Sequence, residues 1–205
     1  MDRDRFEAVI AAVDAANAED PTEVELDGEV GPKELLHARM ATTWLDRLDP
    51  DADELQHVAA RAHHLRRWTS PRDEYPPGRA GYLRWRTAAN EHQAAEVGEL
   101  MRSAGFSDDE VERVAAIVRK DASSRGRASE DRTAQVHEDA LCLVFLRTQL
   151  IGVADRLGDD AAVDVVAKTM RKMSADGLGA AAALDLDERG RSLLDRAALL
   201  HAGSG

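Results

Sequence analysis

Apolar residues recur every three to four positions along most of the chain, and that period predicts helices. The first is expected from about Arg3 to Asn17, stopping before Asp20-Pro21. The second, KELLHARMATTWLDRL, follows Pro32, which suits a first helical turn, and ends before Asp49-Pro50. The third runs from about Asp51 to Trp68. It contains LQHVAARAHHLRRW, an Ala/Leu/Val pattern interrupted near its end by His63 and His64. A fourth spans about Arg79 to Ser103 and closes at Gly105. The fifth, SDDEVERVAAIVRK, opens on Ser107 with Glu110 three residues on, the spacing of a capping box. The sixth, from about Thr133 to Arg156, holds the most apolar segment, ALCLVFL, and is expected at the centre. Residues 159 to 173 and about 187 to 201 give two further amphipathic helices. PTEVELDGEVG, TSPRDEYPPG and ASSRGRASE are polar and rich in Gly, Pro or Ser, and are expected as loops. No segment alternates clearly enough to be read as a strand. The fold class expected is all-α, a single domain over residues 1–205 with about seven to nine helices.

Composition supports that picture. Hydrophobic residues make up 43% of the 205, enough to bury a core, while aromatics are only 4% and alanine is abundant. Sheets favour β-branched and aromatic residues, so this mixture suits packed helices. The single Cys142 excludes an internal disulfide and fits a reducing compartment. The first residues are charged and lack the apolar stretch of a signal peptide. The longest apolar run is far too short to span a bilayer. The expectation is a cytoplasmic protein with no membrane partner. The net charge of -12 argues against nucleic acid, which needs a basic face.

Charge is unevenly spread. Between Arg61 and Arg86 stand seven arginines and only two acids, a local excess of +5 in an acidic chain. Trp68, Tyr75, Tyr82 and Trp85, half of the eight aromatics, fall in the same stretch. Guanidinium groups offer paired donors to phosphate or carboxylate, and aromatic rings shape a pocket. The segment from Trp68 to Arg86 is therefore expected to fold over a pocket and supply anion contacts, chiefly from Arg67, Arg72, Arg79 and Arg86. The alternative is that these arginines pair with Asp139, Glu138 and Glu91 to hold helices together. The histidines raise a second question. Consecutive helix residues lie about 100° apart, so His63 and His64 can both face an interior only near a cavity or a helix end. His37 on the second helix, His92 on the fourth and Glu138-Asp139 at the head of ALCLVFL are further candidates. A carboxylate at the edge of that segment is costly unless it is paired or binds a metal. His57 is expected at the surface, His137 behind the acidic pair, and His201 in the tail.

A His on one helix, a two-residue ligand pair closing a second, a His on a later helix and an Asp opening an apolar helix resemble the HD-domain superfamily. The likeness covers about residues 30 to 150 and rests on KELLHARMATTWLDRL, LQHVAARAHHLRRW, NEHQAAEVGELMRSAGFSDDEVERVAAIVRKD and EDALCLVFL. It implies an HD-like helical core, with residues 151–205 as a helical extension, and metal-dependent phosphohydrolase chemistry, with iron oxygenases as a minority variant. The chain also resembles a small bacterial and eukaryotic family of unknown function, on HLRRW, SPRDEYPPGRAGYLRWR and EDALCLVFL. The superfamily's defining Asp falls on His64 if His63 is its His, and on Leu65 if His64 is. VRKD, residues 118 to 121, has no His where many relatives have one.

The resemblance implies a divalent metal (Zn, Mn, Fe or Co) held by His37, His63 or His64, and Asp139, with His92 as a further ligand or as a general base beside Glu138. Such a metal would activate water for attack on phosphorus or carbonyl carbon. Arg39, Arg67, Arg72, Arg79, Arg86 and Lys120 would hold a small phosphorylated or nucleotide-like substrate. A second function is open: the same pocket serves as an anion-binding or interaction module without turnover. A third is a scaffold, in which ERGRSLLDRAALL packs a homodimer rather than closing the core.

Overall fold

A computed structural model of the chain describes residues 3–121 and 131–203. The loop expected over ASSRGRASE lies outside the described residues. Helix α1 (Arg3–Asn17) buries Val9 and Val13 against α3 (Glu54–Ala62), α4 (Arg79–Ser103) and α5 (Asp108–Arg119). Val58, Leu65, Val97, Met101, Phe106 and Val114 complete this first core, which thus begins well before residue 30. A second core is built by α6 (Arg132–Thr148), α7 (Leu150–Leu157), α8 (Asp159–Met170), α9 (Ala175–Ala182) and α10 (Glu188–Ala202). Leu143, Leu146, Leu150, Val166, Leu193 and Leu194 fill it. ERGRSLLDRAALL therefore closes the core through Leu193 and Leu194, although Leu199 and Leu200 stay exposed. Helix α2 (Lys33–Leu48) lies between the two. Its Leu45 meets Ala60 of α3 and Val136 of α6 in a small cluster, while Trp44 and Leu48 lean on the second core.

Ten α-helices among the described residues exceed the seven to nine expected. One reason is that the sixth predicted helix divides at Gln149, whose backbone (φ -121, ψ -10) ends α6 and starts α7. Another is α9, whose ADGLGAAA sequence has too few large apolar residues to show a period. Ser174 caps it by accepting the Gly177 N–H at 3.1 Å. No helix among the described residues is long and apolar enough to cross a membrane.

PTEVELDGEVG is not a loop. It forms an antiparallel hairpin of β1 (Glu23–Leu26) and β2 (Glu29–Pro32), with Glu23 opposite Pro32 and Leu26 opposite Glu29. Asp27 and Gly28 both take positive φ, 53° and 83°, the requirement of the tight hairpin turn that favours Asp-Gly. The Glu-Val-Glu-Leu alternation of β1, exposed and half-buried in turn, and the Asp-Gly turn are the signals that the loop reading passed over. Pro32 sits one place earlier than expected, as the residue before the helix. The capping box at Ser107 and Glu110 forms as the spacing predicts.

The third helix stops at Ala62 rather than Trp68. His63 is extended (φ -63, ψ 127), while His64 and Arg66 are left-handed, with φ 67° and 46°. Two anchors fix this turn. Leu65 is driven into the first core, and buried Asn17 at the end of α1 accepts the Arg66 N–H at 3.1 Å. Leaving the helix here is what lets two adjacent histidines serve one cavity.

Candidate functional site

A cavity of about 460 Å³ opens along the seam between the two cores. Its walls come from α2 (His37, Ala41), the turn after α3 (His63, His64, Arg67), α4 (Tyr82, Arg86, Asn90) and the end of α5 (Lys120). Helix α6 adds Glu138, Leu141, Cys142, Val144 and Phe145, and α8 adds Val165, Lys168 and Thr169, with Lys172 just beyond. Among the described residues, five cationic side chains thus face one carboxylate. The chain has only four lysines. Three of them line this cavity, and the fourth, Lys33, lies 3.0 Å from Glu34, directly behind His64.

The polar floor is tightly coupled. Lys120 Nζ donates to Glu138 Oε2 at 2.7 Å, and Lys172 stands 3.6 Å from the other oxygen. Burial pushes the Glu138 carboxyl up, but the two ammonium groups outweigh it and hold it at about 2. Glu34 is almost fully buried, with Oε2 3.4 Å from His64 Nδ1 and 3.8 Å from His37 Nδ1. Burial opposes its ionisation too, and the His64 ring and Lys33 ammonium bring it to about 2. The His63 and His64 rings lie 4.1 Å apart, and His137 meets His63 edge-on at 5.5 Å. Burial, reinforced by nearby cations, lowers His64 to about 4 and His137 to about 3, and lowers His63 well below its usual value. At neutral pH these imidazoles are uncharged. Nδ1 of His37, Nδ1 of His63 and both nitrogens of His137 have no hydrogen-bond partner among the described residues.

The mouth is shaped by α4 and the segment before it. The Arg67 guanidinium lies 4.5 Å over the Trp85 ring, and Trp85 Nε1 donates to the Ser70 carbonyl at 2.8 Å. Tyr82 packs 5.8 Å from Trp85. Leu141, Val144, Phe145 and Val165 supply an apolar wall opposite. Burial pushes the Cys142 thiol up to about 12, so it contributes bulk rather than a thiolate nucleophile.

Of the residues expected from sequence, the fold brings His37, His63, His64, Arg67, Arg86, Lys120 and Glu138 to this cavity. It does not bring the others. Asp139 points toward α9 instead, accepting from the Ser174 N–H at 2.9 Å, the Ser174 hydroxyl at 2.5 Å and Gln135 Nε2 at 3.0 Å. It is a structural anchor for α9. His92 sits half exposed, 3.6 Å from Glu96. Arg39 pairs with Glu29 of the hairpin at 3.1 Å and lines a different cavity. Arg72 is spent on the carbonyls of Tyr75, Pro76 and Gly78 within its own loop. Arg79 is exposed at the start of α4 and does not line the pocket. Glu34, Asn90, Lys168 and Lys172 were not expected. Glu34 could have been found as the residue one turn before His37, and the lysines from their rarity in an arginine-rich chain.

The resemblance asks for a divalent metal. Among the described residues no group of three or more His, Cys, Asp or Glu side chains is placed to hold one. Asp139 and His92 are engaged elsewhere, and the carboxylate that faces the cavity is already bound by two ammonium groups. As placed, these residues do not fit the metal.

A family model described as a domain of unknown function, DUF4202, matches residues 7–194. No curated protein and no solved structure matches the chain.

Proposed function

The chain belongs to the DUF4202 family, and from the chemistry of its pocket we propose that it binds a small phosphorylated organic anion. One observation carries this reading. Three of the four lysines converge with Arg67 and Arg86 on a cavity whose described residues offer a single carboxylate. Outside the cavity most ion pairs among the described residues use arginine, as in Arg61–Asp14, Arg113–Asp53 and Arg189–Asp159, with Lys33–Glu34 the lysine exception. A lysine ammonium is a mobile point charge suited to phosphate, while the planar Arg67 can donate in pairs. The apolar wall of Leu141, Val144, Phe145 and Val165 takes the organic part of the ligand, and the volume falls in the range of small-molecule sites.

A hydrolase acting on the same class of ligand is the second reading, in keeping with the likeness to the HD superfamily. It is favoured by the unpartnered ring nitrogens of His37 and His63 in the cavity wall; the lowered pKa values of His63 and His64 make them hydrogen-bond acceptors for a water rather than strong bases. In its metal-dependent form this reading expects about one equivalent of Zn, Mn, Fe or Co in the protein as purified.

The test is a calorimetric and thermal-shift titration with inorganic phosphate and nucleoside monophosphates. Charge-assisted hydrogen bonds contribute about 1.5–3 kcal/mol each, so Lys168→Ala and Arg86→Ala should each weaken binding about tenfold or more. The melting temperature should barely move, because both side chains are exposed. Arg39→Ala and Arg72→Ala should leave affinity unchanged. If no phosphate compound stabilises the wild type at millimolar concentration, the reading is wrong.

A further inference from the structure

The helices that wall the cavity each present one stripe to it, and the stripes change character along their length. On α6 the lining residues Glu138, Leu141, Cys142, Phe145 and Gln149 follow at steps of one, three or four, which keeps them on one face. On α8 and the turn after it, Val165, Lys168, Thr169 and Lys172 do the same. Two contacts set these stripes against each other. Lys172 stands 3.6 Å from Glu138, and its carbonyl accepts from Gln135 Nε2 at 2.9 Å. The end of α8 therefore lies beside the start of α6. Lys120 reaches the same end, 2.7 Å from Glu138, and Asn90 of α4 is held close by donating to the Arg119 carbonyl at 3.5 Å. Charge thus gathers at one end of the cavity. Phe145 lies seven residues past Glu138, about 10 Å further along α6. Between Cys142 and Gln149 that helix lines the cavity with Val144 and Phe145 alone, and Val165 of α8 and Ala41 of α2 add to the apolar surface.

Polar groups along this stretch have little to offer a ligand. The Thr169 hydroxyl donates to the Val165 carbonyl at 3.0 Å. The Cys142 thiol, pushed up to about 12, stays protonated and is a weak donor. Leu141, Phe145 and Val165 are only half-buried, so apolar surface remains for a ligand to cover. A ribose and base laid here would place hydroxyls and ring nitrogens against hydrocarbon, and each buried polar group without a partner is costly. An alkyl chain forfeits no hydrogen bond and removes apolar wall from water. We propose that the ligand is the phosphate monoester of a short apolar alcohol, its phosphate at the lysine end and its chain along Leu141, Phe145 and Val165. Gln149 is the next polar side chain on the α6 stripe, about 16 Å along the axis from Glu138, and bounds the length of the chain. A volume of about 460 Å³ admits one such chain. The inference rests on the phosphate-binding reading and narrows its ligand class.

The experiment is calorimetry on the full chain with methyl, butyl and hexyl phosphate, adenosine monophosphate, and hexanol as the chain without the charge. Each methylene buried against the wall should tighten binding about fourfold from methyl to hexyl phosphate. Hexyl phosphate should bind more tightly than adenosine monophosphate. Val165→Thr, which puts a hydroxyl of nearly the same shape into the wall, should reduce the ratio of hexyl to methyl phosphate affinity at least threefold, as should Phe145→Ala. Comparing two ligands within one variant cancels any general loss of binding. Circular dichroism of each variant confirms the fold, and the threonine variant keeps the test decisive if the alanine variant unfolds. Phosphate compounds that bind with no gain along the chain, tighter binding of adenosine monophosphate, or an unchanged ratio in folded Val165→Thr would overturn the proposal and leave the phosphate-binding reading in place. Hexanol binding as tightly as hexyl phosphate, or no binding by any phosphate compound, would remove that reading and the proposal with it.

Discussion

His137 is fully buried, touches the edge of His63, and leaves both ring nitrogens without a partner among the described residues. Its pKa falls from about 6.5 in an unfolded chain to about 3 in the fold, chiefly through burial. The unfolded state therefore binds the proton first as pH falls. The contribution to stability is fully present above pH 6.5 and is lost as pH drops towards 3. For this one group the loss between pH 7 and pH 5 is about 2 kcal/mol, and His63 and His64 act in the same direction. Glu34 and Glu138, lowered to about 2, add their own losses only below about pH 4.5. Urea melts at pH 7 and pH 5 should show a steep acid loss in the wild type. In His137→Leu that loss should shrink by about 2 kcal/mol; an unchanged difference would count against this account. At this scale the sequence was only half legible. The identity of His63 and His64 was plain, but the turn that brings them together was not, because it depends on Asn17, forty-nine positions from Arg66, accepting a backbone N–H.

Helix α9 shows how a residue expected at the site can belong to the scaffold instead. Asp139 binds both the backbone and the hydroxyl of Ser174, the residue that caps α9, and Gly177 packs against the same carboxylate. A Cβ at Gly177 would come within 2.6 Å of the Asp139 carboxyl carbon, so the position accepts only glycine without movement. Asp139→Ala should leave the Ser174 N–H unpaired and cost about 1–3 kcal/mol, seen as a melting point several degrees lower. Phosphate affinity should persist in the folded variant. A variant that melts normally and loses affinity would return Asp139 to the site. Elements with strong periods or caps, such as α4 and α5, were legible along the chain. The hairpin was legible in its Glu-Val-Glu-Leu alternation and Asp-Gly turn but is short and largely exposed, whereas α9 was hidden by its alanines and glycines. The choice between Glu138 and Asp139 could not be made from sequence. Adjacent helix residues point about 100° apart, and which one faces the cavity is set by where α5 and α9 dock.

At the scale of the whole molecule the two cores meet through α2, which packs along both α3 and α6. Leu45, Ala60 and Val136 form the small cluster between them, and α2 lies across both. Units bridged by a single helix open separately where their internal contacts exceed those across the bridge. Native-state hydrogen exchange in low urea should give two classes of amide. Those of α8 to α10 should open at lower free energy than those of α4 and α5, since α9 is short and poor in large apolar residues. A single free energy shared by both sets would contradict this. The pocket walls come from both sides of that seam, with Lys120 and Arg67 on one and Glu138, Lys168 and Lys172 on the other. Whatever occupies the pocket therefore acts as a rivet. At a hundred times its dissociation constant an occupant adds about 2.7 kcal/mol against opening, which cuts the opened fraction roughly a hundredfold. Cleavage by a protease that needs the opened form would slow in proportion, so the lifetime of the protein would report the concentration of its ligand.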